Sequence, residues 1–237
     1  MLRITNCFKK VKLMIRSVFF SFFLLFYILN IYCQPKGGGI SVEKQFEGSI
    51  NFIKKTLDDT TFYVYRVKGR KIRIDIKENS LNSNSIENYL LFDLDKKSIT
   101  AISPSRKLYI PIQASEYKKA DEKKFIIVKS NNKKLVNGYQ CFQWRVKNVE
   151  QKTEITYWVA TENFAFFEDL LKLWNRSEKH AVFYLQIPEI YGYFPMESIE
   201  RTLLRDEKMK LLVTSIQKTK VEDSLFNIPK DYKSYDQ

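Results

Sequence analysis

From Lys44 to the C-terminus, apolar and polar residues alternate in many short runs, and a period of two is typical of β-strands. The clearest run is residues 70–76, where Ile72, Ile74 and Ile76 alternate with charged residues. This alternation predicts a strand with one buried face and one solvated face. Similar runs predict strands at 46–52, 61–66, 89–94, 98–102, 107–110, 125–128, 134–136, 139–146, 153–160, 181–187, 192–202 and 209–218.

Local signals also predict turns and one helix. Asn137–Gly138 is typical of a type I′ hairpin turn, because both of its central residues need positive φ. The run 79–85 is a polar loop. Thr161 can cap a helix over 162–175, and its apolar face has residues at helical spacing: Phe166, Phe167, Leu170, Leu171 and Trp174.

The first 33 residues have the pattern of a secretory signal peptide. Five basic residues and no acidic one accompany the apolar run 18–29, which is too short for a spanning helix of roughly 20 residues. Cleavage between Cys33 and Gln34 fits this pattern. Residues 34–43 contain the triplet Gly37–Gly39 and are predicted to form a flexible tether.

Three alternatives remain open for this segment. The apolar run can stay uncleaved as an anchor, or Cys33 can be a lipoprotein cysteine, although the bulky Tyr32 precedes it. Translation can also begin at Met14, which leaves a more ordinary basic region before the apolar run. The main prediction is an exported protein of the periplasm or cell envelope.

Size, charge and cysteine content limit the classes of protein to which this chain can belong. About 200 residues follow the predicted signal, which suits a single domain with a substantial core, here 44–237. Removal of residues 1–33 takes five of the 40 basic and none of the 27 acidic residues, and leaves a net charge of +8. Solubility and a lysine-rich composition explain this charge best; the alternative is peripheral contact with anionic membrane lipid, which in the envelope is favoured over nucleic acid. Only Cys141 remains, so no internal disulfide forms, and a buried thiol is expected.

Signals of catalysis are weak. His180 is the single histidine and is expected to be a solvated loop residue. A Cys141–His180 nucleophile and base pair has no support from spacing, and one cysteine with one histidine gives no zinc site. Asp93 and Asp95 share a strand face, which a hairpin shoulder explains better than a calcium or sugar site. We therefore predict a non-enzymatic protein without cofactor or metal.

Two further features are compatible with binding. Arg73 and Asp75 share the solvated face of their strand, where an ion pair is expected and a polar ligand clamp is the alternative. The chain is also rich in aromatic residues, with 18 Phe, 14 Tyr and 3 Trp. Aromatic side chains on strands and on one helix can fill a core or line a hydrophobic pocket.

Several short motifs resemble the DUF4412 family of exported bacterial proteins, over roughly residues 44–233. The motifs are Phe46–Ile50, Lys71–Asp75, Phe92–Thr100 with Lys107–Tyr109, Gly138–Cys141 and Leu225–Pro229. The family's fold is similar to that of the LolA, LolB and RseB lipoprotein-carrier families. The resemblance implies a mostly β, α+β fold in which a curved antiparallel sheet forms a half-open barrel covered by one or more helices.

In the carrier families the hollow of this barrel holds acyl chains. The resemblance therefore implies a lipid, an acyl chain or another hydrophobic molecule as ligand. The residues expected to line the hollow are Phe62, Val64, Ile72, Ile74, Phe92, Phe142, Trp144, Phe167, Leu171 and Trp174. The alternative is an envelope interaction or scaffold module with a filled core, which binds a protein partner through the basic segment 117–134 or through an edge strand.

Overall fold

The computed structural model describes residues 45–77 and 88–235, in which twelve strands join one sheet and two short helices pack on it. The strands are β1 (Glu47–Thr56), β2 (Thr60–Lys68), β3 (Lys71–Lys77), β4 (Asn88–Asp93), β5 (Ser98–Ser103), β6 (Leu108–Ile112), β7 (Phe125–Val136), β8 (Tyr139–Asn148), β9 (Thr153–Thr161), β10 (Tyr193–Thr202), β11 (Glu207–Gln217) and β12 (Lys233–Ser234). The helices are α1 (Phe166–Trp174) and α2 (Lys179–Tyr184). Neither of them is long and apolar enough to cross a bilayer.

Several predictions fall on parts of the chain that are not described. The signal peptide, the cleavage pair Cys33 and Gln34, the tether 34–43 and the loop 79–85 lie outside the described residues. They remain predictions, as does the extent of the single domain.

The sheet follows the order β12-β6-β5-β4-β3-β2-β1-β11-β10-β9-β8-β7. Neighbouring strands are antiparallel, except that β12 runs parallel to β6. The sheet is curved and does not close, and α1 and α2 cover its inner face. The predicted mostly β fold, a half-open barrel covered by helices, is confirmed.

The core lies between the inner face of the sheet and the helices. Ile50, Ile72, Ile74 and Tyr157 point inward from their strands and are almost fully buried together with Leu170 of α1. The alternation in 70–76 therefore predicted the inward residues of β3 correctly, because a period of two places them on one face.

The opposite face of β3 corrects the prediction of a solvated surface. Arg73 is only 8% exposed and Asp75 is fully buried. The C-terminal segment 219–235 covers this outer face: the Arg73 guanidinium donates to the Leu225 carbonyl at 3.5 Å, and Tyr232 packs beside Tyr89. The charge alternation shows the two faces but not what covers them.

Two predictions, one of a helix and one of a strand, also need correction. The helix predicted over 162–175 begins only at Phe166, and Thr161 is the last residue of β9 rather than a cap. The predicted strand 181–187 is instead α2 followed by turns. Its Val, Phe and Tyr residues favour strands, but Ala181 and Tyr184 lie three apart and both pack inward, so tertiary contact overrides propensity.

The lysine-rich segment forms a longer strand than predicted. β7 is continuous over Phe125–Val136, with a register shift between Lys129 and Lys133, and it joins β8 through the predicted turn. Asn137 and Gly138 have φ values of 50° and 80°, which confirms the hairpin. The strand predicted to stop before Pro111 continues to Ile112, since β12 reaches only Leu108 and Tyr109 of β6.

Candidate functional site

A small cavity of about 60 Å³ lies between the inner face of the sheet and the two helices. Its walls come from β1, β2, β9, β10, β11, α1 and α2, with the 175–178 connection at one side. The lining side chains are mostly aromatic or aliphatic: Phe52, Tyr65, Tyr157, Phe167, Leu171, Trp174, Ala181, Tyr184, Phe194, Pro195, Leu211, Leu212 and Val213, with Arg176, Glu178, His180 and Ser198 as polar members.

Aromatic side chains in mutual contact build the walls. Phe167 of α1 lies edge-on to Phe194 of β10, with ring centroids 4.5 Å apart, and 5.5 Å from Tyr184 of α2. Across the cavity, Phe52 and Tyr65 form an edge-on pair at 4.7 Å. Such pairs are favourable beyond the area they bury, so the walls keep a defined shape.

Tyrosine hydroxyl groups fasten α2 to the sheet. The Tyr157 hydroxyl of β9 donates to the His180 carbonyl at 2.7 Å, and the Tyr184 hydroxyl donates to the Tyr193 carbonyl at 3.2 Å. Burial raises the pKa of both tyrosines well above the ordinary value of 10, so both stay neutral donors. These two bonds hold the helix that closes one side of the cavity.

Helix α1 is held at both ends. Near its start, the Arg70 guanidinium lies 2.9 Å from Asp169 and 2.5 Å from Asp95 of the β4–β5 turn. At its end, Trp174 packs edge-on against Phe92 of β4, with centroids 5.3 Å apart. The helix therefore rests on several strands of the inner face.

Three of the four polar lining residues lie together in the 175–180 region, and the fourth, Ser198, lies on β10. Arg176 Nε is 3.8 Å from Glu178 Oε2, a long ion pair at an exposed position. His180 lies on α2 and is half-buried. The prediction that it is a solvated loop residue is therefore wrong. Burial, with a smaller effect of the Lys54 charge, lowers the pKa of His180 from 6.5 to about 4, so its imidazole is neutral at physiological pH.

The structure divides the ten predicted lining residues. Phe167, Leu171 and Trp174 line the cavity. Five others point inward but fill core elsewhere: Ile72, Ile74, Phe92, Phe142 and Trp144. Phe62 and Val64 do not line it, because in β2 the inward residues are Tyr63, Tyr65 and Val67, and a period of two places their neighbours on the outer face.

The contacts of the remaining candidate residues favour structural roles. Cys141 is fully buried, its thiol contacts the Tyr139 carbonyl, and burial raises its pKa to about 11. It does not line the cavity, so the structure does not join it to His180. Asp93 accepts hydrogen bonds from the Asp95 and Lys96 amides and thereby shapes the β4–β5 turn. Among the described residues, no cluster of His, Cys, Asp and Glu is suited to a metal ion.

Sequence reasoning missed several lining residues. Phe52, Tyr65 and Phe194 face inward on strands that were predicted correctly. Alternation identifies their inward direction, but it cannot separate an inward residue that borders a cavity from one that fills the core. That distinction depends on where α1 and α2 lie, and α2 was predicted to be a strand.

Solved structures with similar architecture were found. An uncharacterised conserved protein from Thermus thermophilus has a TM-score of 0.47 at 8% identity, over 79% of this chain and 88% of that one. MucB has a TM-score of 0.44 at 7% identity, over 81% and 60%. A putative outer membrane lipoprotein-sorting protein domain from Vibrio parahaemolyticus has a TM-score of 0.28 at 9% identity, over 76% and 88%. At these values the matches do not transfer a function to this chain.

A comparison with curated proteins found no match. A family model, in contrast, matches residues 46–232, which is nearly all of the described part of the chain. The matched range contains every wall of the cavity and eleven of the twelve strands. The chain belongs to the family described as Domain of unknown function (DUF4412).

Proposed function

We propose that this protein is a non-enzymatic component of the cell envelope that binds a lipid, an acyl chain or another hydrophobic molecule between its sheet and its helices. The supporting observation is the aromatic cavity under α1 and α2, with polar Arg176, Glu178 and His180 on one side. An apolar chamber with a few polar groups at its margin suits a ligand with an apolar body and a polar end.

The volume of the cavity limits how binding occurs. A space of about 60 Å³ holds a few water molecules and lies well below the roughly 300–1,000 Å³ of common ligand pockets. An acyl chain therefore enters only if α1 or α2 moves away from the sheet. Movement of α2 would break the hydrogen bonds of the Tyr157 and Tyr184 hydroxyl groups, and movement of α1 would break the Arg70–Asp169 ion pair.

The proposed envelope location depends on the N-terminal pattern. Residues 1–33 have the basic and apolar segments of an export signal, and Cys33–Gln34 is the proposed cleavage site. Mass spectrometry of the protein recovered from cells, with sequencing of its N-terminus, tests this directly. A chain that starts at Gln34 supports the proposal, and a chain that starts at Met1 and is recovered from the cytoplasmic fraction contradicts it.

Native mass spectrometry of the exported protein, with lipid extraction of the same sample, tests ligand binding. A lipid adduct, or uptake of an added fatty acid or of an apolar fluorescent probe, is the expected result. A clean apo mass together with no uptake of either would overturn the proposal.

Variants of the cavity sharpen this test. Phe167→Leu enlarges the cavity and should raise the affinity for the probe. Ala181→Leu fills the cavity and should lower that affinity. Phe142→Leu is the matched control, because Phe142 is an inward aromatic residue outside the cavity. Equal effects of all three substitutions would mean that the probe binds elsewhere.

A second candidate function is an interaction module without a small-molecule ligand. The small cavity favours it, and so does β7, an edge strand of the described sheet with Ile126, Val128 and Leu135 exposed. An unpaired edge can accept a strand from another protein. Failure of probe uptake, with specific protection of the β7 amides from hydrogen exchange by a partner, would favour this alternative.

A further inference from the structure

The aromatic cavity has one wall that reaches solvent. Among the described residues that line it, only Arg176 and Glu178 are exposed, and both belong to the connection 175–178, which has no regular secondary structure. The other lining residues are buried or half-buried on paired strands and on the two helices. A molecule from solvent therefore reaches the cavity most directly through the 175–178 connection.

Trp174, the last residue of α1, stands between this connection and the cavity. Its side chain lines the cavity and is partly buried, packs edge-on against Phe92, and has the Arg176 guanidinium 5.2 Å from its ring centre. The free volume of about 60 Å³ is the space that remains beside this side chain. Because the indole is one of the largest side chains, its movement outward opens the entrance and enlarges the cavity at the same time.

The contacts that hold this end of α1 are polar and lie in water. Asn175 ends the helix in a left-handed conformation, with φ of 46°, and its side-chain amide donates to the Ser115 hydroxyl at 2.8 Å. Arg176 Nε lies 3.8 Å from Glu178 Oε2, and both side chains are exposed. An exposed ion pair contributes little to stability, and water replaces an exposed hydrogen bond at little net cost.

The body of α1 is held more firmly than its last turn. Leu170 is fully buried, Leu171 is almost fully buried, and the Phe167 ring contacts those of Phe194 and Tyr184. Buried tyrosine hydroxyl groups hold α2 in the same way. The last turn of α1 can therefore move with the 175–178 connection while the rest of both helices stays on the sheet.

We propose that Trp174 is a plug at the entrance of the cavity, which one unbranched alkyl chain of an amphiphile displaces when it binds. The polar end of the amphiphile then stays beside Arg176 and Glu178, in contact with water. One chain fits better than two, because the space that a single indole leaves, added to about 60 Å³, is narrow. This inference rests on the proposed ligand-binding function and narrows its ligand to single-chain amphiphiles.

Calorimetric titration of the exported protein with dodecanoic acid, below the concentration at which the acid forms micelles, tests the plug. Trp174→Ala should bind the acid about tenfold more tightly than the wild type, because the chain no longer has to displace the indole, and apparent affinity rises with the fraction of protein that is competent to bind. Leu173→Ala should bind as the wild type does. Leu173 is the matched control, because it is a partly buried residue of the same helical turn that does not line the cavity.

The sign of the change separates a plug from a wall. If Trp174 is a fixed part of the wall, its removal takes away contacts with the chain, and weaker binding by Trp174→Ala would overturn the proposal. Equal tightening in Trp174→Ala and Leu173→Ala would also contradict it, since a general loosening of α1 would then be the cause.

A second readout uses the indole itself and does not depend on how the alanine variants fold. The chain has three tryptophans, so Trp144→Phe/Trp158→Phe leaves Trp174 as the single fluorophore. Acrylamide quenches an indole that water can reach. Addition of dodecanoic acid should increase this quenching and shift the emission of Trp174 to the red, whereas unchanged or reduced quenching would contradict displacement.

Two phospholipids with the same headgroup test the ligand class. Dodecanoyl lysophosphatidylcholine should bind, and didodecanoyl phosphatidylcholine, compared at a concentration at which neither lipid aggregates, should not. Equal binding of the two would overturn the restriction to one chain.

Native mass spectrometry with dodecanoic acid separates the failure of this inference from that of the proposed function. Uptake by the wild type, with Trp174 still shielded from acrylamide, would overturn the plug alone. No uptake by either the wild type or Trp174→Ala would overturn both the plug and the proposed binding of a hydrophobic ligand in this cavity.

Discussion

The burial of Asp75 differs from the solvent exposure that its alternating sequence pattern predicts. It is fully buried on the outer face of β3, where its carboxylate pairs with Arg66 and lies 2.8 Å from Arg73 Nε. The Arg73 guanidinium also lies 3.7 Å from the centre of the Tyr89 ring. The Asp75 carboxylate thus lies against the positive charges of two arginines under the C-terminal segment. Removal of this carboxylate leaves uncompensated positive charge in a covered site.

Asp75→Asn should therefore lower the free energy of unfolding by about 3–5 kcal/mol, as is usual when one partner of a buried ion pair is removed. Urea denaturation measures the effect. Asp223→Asn is the control, because it breaks the exposed ion pair with Lys68 and should change stability little. Similar stabilities of Asp75→Asn and the wild type would show that the cluster is hydrated rather than buried.

His180 predicts a pH dependence. Its folded pKa of about 4 lies below the ordinary 6.5, so the unfolded chain takes up a proton first as the pH falls. The neutral imidazole contributes fully to the free energy of unfolding above pH 6.5, and this contribution is lost as the pH falls towards 4.

The free energy of unfolding of the wild type, relative to His180→Gln, should fall by on the order of 1–3 kcal/mol between about pH 7 and pH 4.5. Urea denaturation across this range measures the difference, and carboxylates common to both proteins cancel in it. A constant difference would mean that His180 titrates normally and is open to solvent.

At the scale of elements, Gly48 decides whether β1 can pair with β11. Its φ is 151°, and a Cβ at this position would collide with the carbonyl oxygen of Gln217 on β11. Gly48 pairs with Val67 of β2, and Gln217 pairs with Ser49 of β1, so the clash is with paired backbone and no flexible side chain can move aside to relieve it.

Gly48→Ala should destabilise the protein by more than about 2 kcal/mol, because the central β1–β11 pairing must distort. Gly138→Ala is the matched control: it also has positive φ, but a Cβ there meets no atom within 4 Å. We expect it to cost about 1–2 kcal/mol from backbone strain alone. Thermal denaturation of both variants gives the comparison, and a smaller loss for Gly48→Ala than for Gly138→Ala would contradict this account.

At the scale of the whole molecule, the C-terminal segment closes the outer face. Residues 219–235 connect to β1 through the Val221 amide and Glu47, to β3 through Leu225, and to β6 through β12. They cover both the Asp75 cluster and the apolar group of Tyr89, Leu91 and Ile102.

A chain that ends at Lys218 should therefore melt several degrees lower than the wild type and should bind an apolar dye, since it exposes apolar and charged groups together. A chain that ends at Tyr235 is the control and should behave as the wild type. An unchanged melting temperature for the shorter chain would show that the segment is dispensable for the fold.

The sequence by itself determined most of the sheet. Period-two alternation identified the inward side chains of β3, and Asn137–Gly138 marked the β7–β8 turn, because these signals are local and depend only on backbone geometry. Helical spacing in the same way predicted that Phe167, Leu171 and Trp174 share the apolar face of α1.

Only the tertiary structure decided what covers each face. The burial of Asp75 depends on residues about 150 positions later in the chain, and the fold of 181–187 as a helix depends on contact with the sheet. Phe62 and Val64 are apolar but lie on the outer face of β2, while Phe52 and Phe194 border the cavity because β1 and β10, distant in the chain, both pair with β11. Local pattern fixes the direction of a side chain, and long-range packing fixes its neighbours.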